Sequence, residues 1–405
     1  MTTATLLTIP DSPAPHAWRA PRDLQLKMLP ATARAEALSE WRRLEHKLSN
    51  QRLACSSLWT EIWLNHYGSL VPHQFAIAMR DGIACGIVLM TRGVDQHAGP
   101  ITLNTWHVGT AGEPDSDSVC VEYNALLVAP EDHAEFGCTL WKWVREATNC
   151  DEFRMDGFDA PAVELLVARN PQATIQRIPS HFFDLVVPRS TGEDPLMRLG
   201  SHTRGNIRKT LRELGDARGE WAETPGRAEE LFHQMVKLHQ QRWRSEGRPG
   251  VYASHRFHEF HRELLTRAVT LGWSTIFAVT VANRLIGCCQ VLIDKQRVLL
   301  YQCGRAPATG RASHGLALDY LCITEALRRG YDAVDFLAGD SNHKRRLSTN
   351  VAEMAWVVWQ RANVKNAAIG ALRRVKRAAT QLRQLNAQDH KPLTVDQLPF
   401  LVGEE

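Results

Sequence analysis

The sequence predicts an α/β (α+β) fold made of two similar halves in tandem, each a mixed, mostly antiparallel sheet flanked by helices. Three observations carry this. In "HQFAIAMRDGIACGIVLM" two β-rich runs flank Asp81-Gly82, a strong hairpin turn. A second hairpin follows in "STIFAVTVANRLIGCCQVLI", with its turn predicted at Asn283-Arg284. In each half a helical pattern then leads into a strand ending in Gly plus Asp: "FGCTLWKWVREATNC" into "DEFRMDGFD", and "GLALDYLCITEALRRG" into "YDAVDFLAGD". The repeat is far longer than a solenoid unit, so it reads as duplication of a whole domain.

Taken in order, residues 1–23 ("MTTATLLTIPDSPAPHAWRAPRD") read as a Pro-rich mobile leader, because no basic stretch is followed by an apolar core. The first half covers 24–190, and "PRSTGEDP" supplies a linker. The second half covers 195–360, where "EMAWVVWQRA" past Glu353 adds one more strand. Residues 361–405 hold a basic amphipathic helix, "NVKNAAIGALRRVKRAATQLRQL", and a tail. Its Arg/Lys face is read as solvated, and it offers a surface for a membrane or a protein partner.

With 405 residues, 44% of them hydrophobic and 23% charged, the chain can bury more than one core. A formal charge of +4 is small for this length, so nucleic acid is not expected as a partner. The nine cysteines form no CxxC pair and sit mostly in apolar patterns, which reads as buried, reduced thiols of a cytoplasmic protein. No segment is apolar enough to span a bilayer. His255, His258 and His261 share a helical face but match no established ligand spacing, so no metal is expected.

The halves differ just before their late helix. In the second, strand "RVLLYQCG" runs into the loop "RAPATGRASHG", and a helix starts near Gly315. A helix N-terminus carries unpaired N–H groups and partial positive charge, which suits a phosphate. Gly310, Ser313 and Gly315 let an anion approach the backbone, while Arg305 and Arg311 add charge. The corresponding "LLVAPEDHAEFG" has Glu131, Asp132 and Glu135, which would repel a phosphate. Only the second half is therefore equipped for an anionic cofactor. Farther on, "DFLAGDSNHKRRLST" ends a strand in Asp340 and follows it with His343 and the cations Lys344, Arg345 and Arg346. Arg204, Arg208, Lys209 and Arg212 form a basic helix face, read as solvated.

Three ordered motifs over roughly 199–347, "SHTRGNIRKTLREL", "KLHQQRWRSEGRPG" and "DFLAGDSNHK", carry a resemblance. On them the second half resembles the GNAT-superfamily acetyltransferase domain of CelD-type proteins, associated with bacterial cellulose and exopolysaccharide loci. The signature of that family, Gly-Asp-Glu-x-Tyr-Lys, is matched at Gly339, Asp340 and Lys344, with Ser341 and His343 at the Glu and Tyr positions. The first half is similar to the degenerate leading half of such proteins, and the double arrangement resembles Fem-type peptidoglycan aminoacyl transferases.

The resemblance implies tandem GNAT-like domains. It further implies acetyl-CoA or another acyl-CoA as co-substrate, and as acceptor a small-molecule amine such as an amino sugar. Asp340 would then act as base or bind the substrate ammonium, His343 would stand in for the missing Tyr as a proton donor to the thiolate, and Tyr301 with Gln302 would orient the thioester. Arg305, Gly310, Arg311, Ser313, Gly315 and Lys344 would hold the cofactor. Two other readings stand beside this one: a Fem-like transferase drawing its aminoacyl group from tRNA, and a non-catalytic partner in a polysaccharide assembly.

Overall fold

The computed structural model describes residues 23–48, 52–146, 149–167, 172–307, 312–372 and 374. The leader expected over 1–23 lies almost entirely outside these residues. So does most of the basic C-terminal segment, whose helix is described from 364 to 372.

The first half contains β1 (Gln25–Pro30), α1 (Arg34–Lys47), α2 (Ser57–Tyr67), β2 (His73–Arg80), β3 (Ile83–Arg92), β4 (His97–Ala98), β5 (Ile101–Thr102), β6 (Thr105–Val108) and β7 (Leu127–Val128). It continues with α3 (His133–Glu146), β8 (Glu152–Asp159), α4 (Ala160–Val167) and β9 (Ala173–Asp184). After α5 (Val186–Thr191) the second half has α6 (Ser201–Leu214), β10 (Ala217–Trp221), α7 (Pro225–Ser245), α8 (His255–Ala268), β11 (Ser274–Val281) and β12 (Arg284–Asp294). It closes with β13 (Arg297–Arg305), α9 (His314–Arg328), β14 (Ala333–Ala338), α10 (Asn342–Leu347) and β15 (Asn350–Gln360).

These strands do not form two sheets. They form one mixed sheet of thirteen, in the order β1-β2-β3-β6-β8-β15-β9-β14-β13-β12-β11-β10 with β7 beside β3; β4 and β5 pair separately. The order is the same read from either end when β1, β2, β3, β6, β8 and β9 are matched to β10, β11, β12, β13, β14 and β15. The last strand of each half crosses to the other: β9 pairs with β14, β15 pairs with β8, and the two lie antiparallel from Asn350↔Phe182 to Trp359↔Ala173. This exchange turns two sheets into one, so backbone ladders join the halves.

Helices cover both faces. Residues of α1, α2, α7 and α8 build one core that runs across both halves, while α3 with α4 and α6 with α9 cover the opposite face. The pattern in α8 shows why. Phe257, Phe260, His261, Leu264, Leu265 and Ala268 are buried at helical spacing, and Ser254 caps the start by accepting from the Phe257 N–H at 3.1 Å. His261 belongs to this packing: both ring nitrogens are unpartnered, and burial pushes its pKa down to about 3.

The first hairpin turns at Asp81-Gly82, both left-handed. The second turns at Ala282-Asn283, one residue before the predicted position, because Val281 pairs with Arg284 and both intervening residues must take positive φ. The final strand begins at Asn350, ahead of Glu353, because its early residues pair with β9. All nine cysteines are free, but Cys120 is exposed and Cys85, Cys138 and Cys303 are only partly covered. Cys120 sits at φ 45 in a loop, which an apolar-pattern reading does not reveal.

Candidate functional site

Each half contains one parallel strand pair that soon splays apart. β13 and β14 run together only from Arg297↔Ala333 to Leu299↔Asp335, and β6 and β8 only from Thr105↔Glu152 to His107↔Arg154. Just beyond, β14 bulges between Asp335 and Ala338, and β8 between Met155 and Phe158. Bulges bend a strand and re-aim its side chains. Each holds a residue with positive φ, Gly157 at 71° and Leu337 at 63°. A buried leucine in that region is strained by roughly 1–3 kcal/mol; its N–H is held by Asp335 Oδ1 at 2.8 Å.

The two gaps are treated differently. In the first half a strap of chain closes the gap: Asn124 donates from its backbone N to Gly157 O at 2.8 Å, and from Nδ2 to Val108 O at 2.9 Å and Asp156 O at 3.2 Å. The fit is close enough that a Cβ on Gly157 would lie 2.2 Å from Val121 O, so only glycine serves there. Among the described residues no segment is paired into the gap between β13 and β14. The strap instead touches its two walls, with Tyr301 donating to Val119 O at 2.5 Å and the Ala338 N–H donating to Glu122 Oε2 at 2.8 Å.

Where β13 ends at Arg305, a cavity of about 480 Å³ lies between the end of α7 and the start of α9, lined by Arg242, Ser245, Arg305, Pro307, Ser313 and Gly315 among others. Ser313 caps α9 by accepting from the Leu316 N–H at 3.3 Å. A Cβ on Gly315 would meet Arg305 Nη1 at 2.0 Å, so glycine lets the guanidinium lie against the first helical turn. Helix N–H groups with two arginines make a site for a multiply charged anion. Gly310 and Arg311 lie outside the described residues. In the first half, Arg80 pairs with Asp132 at 2.7 Å and Glu135 at 2.5 Å, so protein groups already occupy the equivalent helix start.

At the end of β14, Asp340 is half-exposed and accepts from His181 Nε2 at 3.0 Å, with Arg345 at 2.7 Å. The His181 hydrogen bond, with Arg345 beside it, holds this carboxylate below its ordinary range. That makes it a weak base at neutral pH and a better orienting or ammonium-binding group. His181 comes from β9 and stands opposite the β14 bulge, a place the strand exchange creates. His343 Nε2 lies 2.7 Å from Asp319 Oδ2 on α9. Lys344, read from the sequence as a phosphate ligand, donates instead to Leu337 O at 2.9 Å and Ala338 O at 2.6 Å. Its charge steadies the strained strand end. The Tyr301 hydroxyl is taken up by the strap, and its ring lies against His261 at 4.7 Å.

The sequence reading missed Arg242, His181 and Glu122. Burial pushes Glu122 up to about 7, opposed by the Ala338 N–H and by Lys344. The folded state therefore binds more protons than the unfolded chain between pH 4.5 and about 7, and stability falls as pH rises through that window. Comparing melting temperatures of wild type and Glu122→Gln should show the wild type losing ground to the variant from pH 4.5 to 7. A pH-independent difference would mean that Glu122 ionises at its ordinary value.

Residues 201–345 match the acetyltransferase (GNAT) domain family, so the second half carries an acyltransferase domain. No curated protein matches the chain significantly. Among solved structures, FemX is similar at 10% identity, covering 78% of this chain and 95% of that one with a TM-score of 0.52. L-PGS from Bacillus licheniformis is similar at 9% identity, with 83% and 96% covered and a TM-score of 0.50. A tandem GNAT protein from the clavulanic acid biosynthesis pathway aligns at 13% identity, with 83% and 98% covered and a TM-score of 0.46. At these identities the likeness to FemX and L-PGS is one of fold.

Proposed function

We propose that the protein is a cytoplasmic N-acyltransferase that moves an acyl group, acetyl or longer, from coenzyme A to the amine of an amino sugar or other small metabolite. The observation that carries this is the contrast between the gaps: Asn124 closes the first, while the second is free of paired chain among the described residues, and the strand that lines it, β13, ends in Arg305 at a cationic helix start. A role in polysaccharide biosynthesis is what the CelD-type resemblance implies. The residues present fit coenzyme A, since Arg305, Arg242 and the N–H groups of α9 would hold its phosphates. When bound, the thioester supplies an activated carbonyl. Beyond Leu299 the edge of β13 that faces β14 is no longer paired with it, so N–H groups on that edge would meet a developing oxyanion, while the other edge stays paired with β12; the Asp340–His181 pair orients groups at the strand end.

The test is a thermal-shift titration with coenzyme A, acetyl-CoA and longer acyl-CoAs. Saturation at about 100 times the dissociation constant adds roughly 2.7 kcal/mol to the native state. No shift with any thioester would overturn the reading. Exposed Arg208, Lys209 and Arg212 on α6 favour one alternative, an aminoacyl-tRNA donor, which consumption of charged tRNA would reveal. Asp340→Asn should lower turnover at least about tenfold, on the low side of general acid–base and orienting effects, with the acyl-CoA shift unchanged. A parallel loss of both would assign Asp340 to cofactor binding.

A further inference from the structure

Beneath the strap, on the sheet face shared by both halves, lies a second cavity of about 360 Å³, lined among others by Glu113, Asp115, Glu122, Arg154, Asp156 and Trp356. Four carboxyl groups, Glu113, Asp115, Glu122 and Asp156, line it against Arg154 and His107. Arg154 is paired with Asp156 at 3.0 Å and Glu152 at 3.6 Å, and His107 reaches Asp156 at 3.2 Å, so the cations present are already matched. Glu113 is only 4% exposed, and its Oε2 has no hydrogen-bond partner. Burial pushes the Glu113 carboxyl group above its ordinary range, and a bound cation would supply the donor that its unpartnered oxygen lacks and favour its ionised form.

Glu122 belongs both to this cavity and to the open gap. One of its oxygens holds the Ala338 N–H at the end of β14, and the other makes no hydrogen bond among the described residues. Resting on the acyl-CoA reading above, we propose that this cavity receives the acceptor as a primary ammonium, and that Glu122, supplied by the first half, is the catalytic base that deprotonates it.

The step balances simply. Glu122 takes one proton from the ammonium, the neutral amine attacks the thioester carbonyl, the C–N bond forms and the C–S bond breaks. The second amine proton passes to the leaving thiolate, leaving an amide, free coenzyme A and a proton that the carboxyl group returns to water. A carboxyl group titrating near neutrality suits this work. Lys344, Asp335, Cys120 and Tyr301 are the titratable groups that face it, and Lys344 favours its ionised form. The same contact means that the first half, although its own gap is closed, completes the site of the second.

Glu122→Gln separates catalysis from support, because glutamine still offers an oxygen to the Ala338 N–H. Two measurements use the full chain. Carbodiimide coupling with ethylenediamine near pH 6.5, mapped by peptide mass spectrometry, should amidate Glu122. A Glu122 left unmodified while exposed carboxylates react would overturn the proposal. Free-thiol release from acetyl-CoA, with D-glucosamine as the amine, should fall about 100-fold or more in the variant at pH 7 and recover as rising pH deprotonates the amine. Equal rates in both proteins would overturn it. If the wild type does not turn over glucosamine, the coupling result decides. The acetyl-CoA thermal shift should be the same in both proteins. A missing shift in the wild type, with Glu122 still amidated, would sink the acyl-CoA reading and leave the amine cavity in place.

Discussion

Asp335→Ala is expected to lower stability by about 3–5 kcal/mol, the usual cost of leaving a buried charge without its partner. Asp335 is fully buried and lies where the halves join. Its carboxylate accepts from Tyr123 at 2.5 Å, Ser180 at 2.9 Å and the Leu337 N–H at 2.8 Å, and faces Arg297 at 2.8 Å. Arg297 has no other ion pair among the described residues; its guanidinium lies over Phe182 at 4.3 Å. Removing the carboxylate therefore strands the arginine, frees the strap and releases the strained Leu337. Denaturant unfolding measures the effect, and a loss below about 1 kcal/mol would show that the arginine finds water instead. Tyr123→Phe, which removes the hydroxyl shared with Asp335 and Ser180 but leaves the Arg297 charge paired, should cost nearer 1–2 kcal/mol.

Gly315→Val should leave the fold nearly intact yet weaken acyl-CoA binding at least tenfold, read as loss of most of the thermal shift. The added Cβ would meet Arg305 Nη1 at 2.0 Å, Cζ at 3.1 Å and Cδ at 3.2 Å. These atoms belong to a flexible side chain, so the guanidinium swings away and the backbone need not move. The stability change should stay within about 1 kcal/mol, the scale of helix propensity differences. Gly304→Val is the contrast, because there the Cβ would meet the backbone Met235 O at 2.3 Å and push β13 from α7. Gly304→Val should unfold the region, while Gly315→Val should disarm the site. Unchanged acyl-CoA affinity in Gly315→Val would remove Arg305 from the cofactor site.

Much of the second half is legible in the sequence alone. The hairpins, the late helices, the strand end at Asp159 and the start of α9 depend on neighbours a few residues away, and periodicity with turn chemistry reports them; β14 stops at Ala338, two residues before the expected Asp340. The acidic and basic helix starts were legible for the same reason. Charge in a sequence shows no direction: the Lys344 ammonium, which the sequence offered to a phosphate, is held by two carbonyls of a bulged strand.

The sequence by itself determined the two similar halves, the hairpin and the late helix with its following strand in each, and which half carries a cationic helix start. Only the tertiary structure decided that β9 and β15 change places, that Asn124 closes one gap, and that Glu122 and His181 stand at the end of β14. The physical reason is separation along the chain. Glu122 meets Ala338 across 216 residues and His181 meets Asp340 across 159. Such contacts leave no local pattern and exist only once the exchanged strands have brought the halves together.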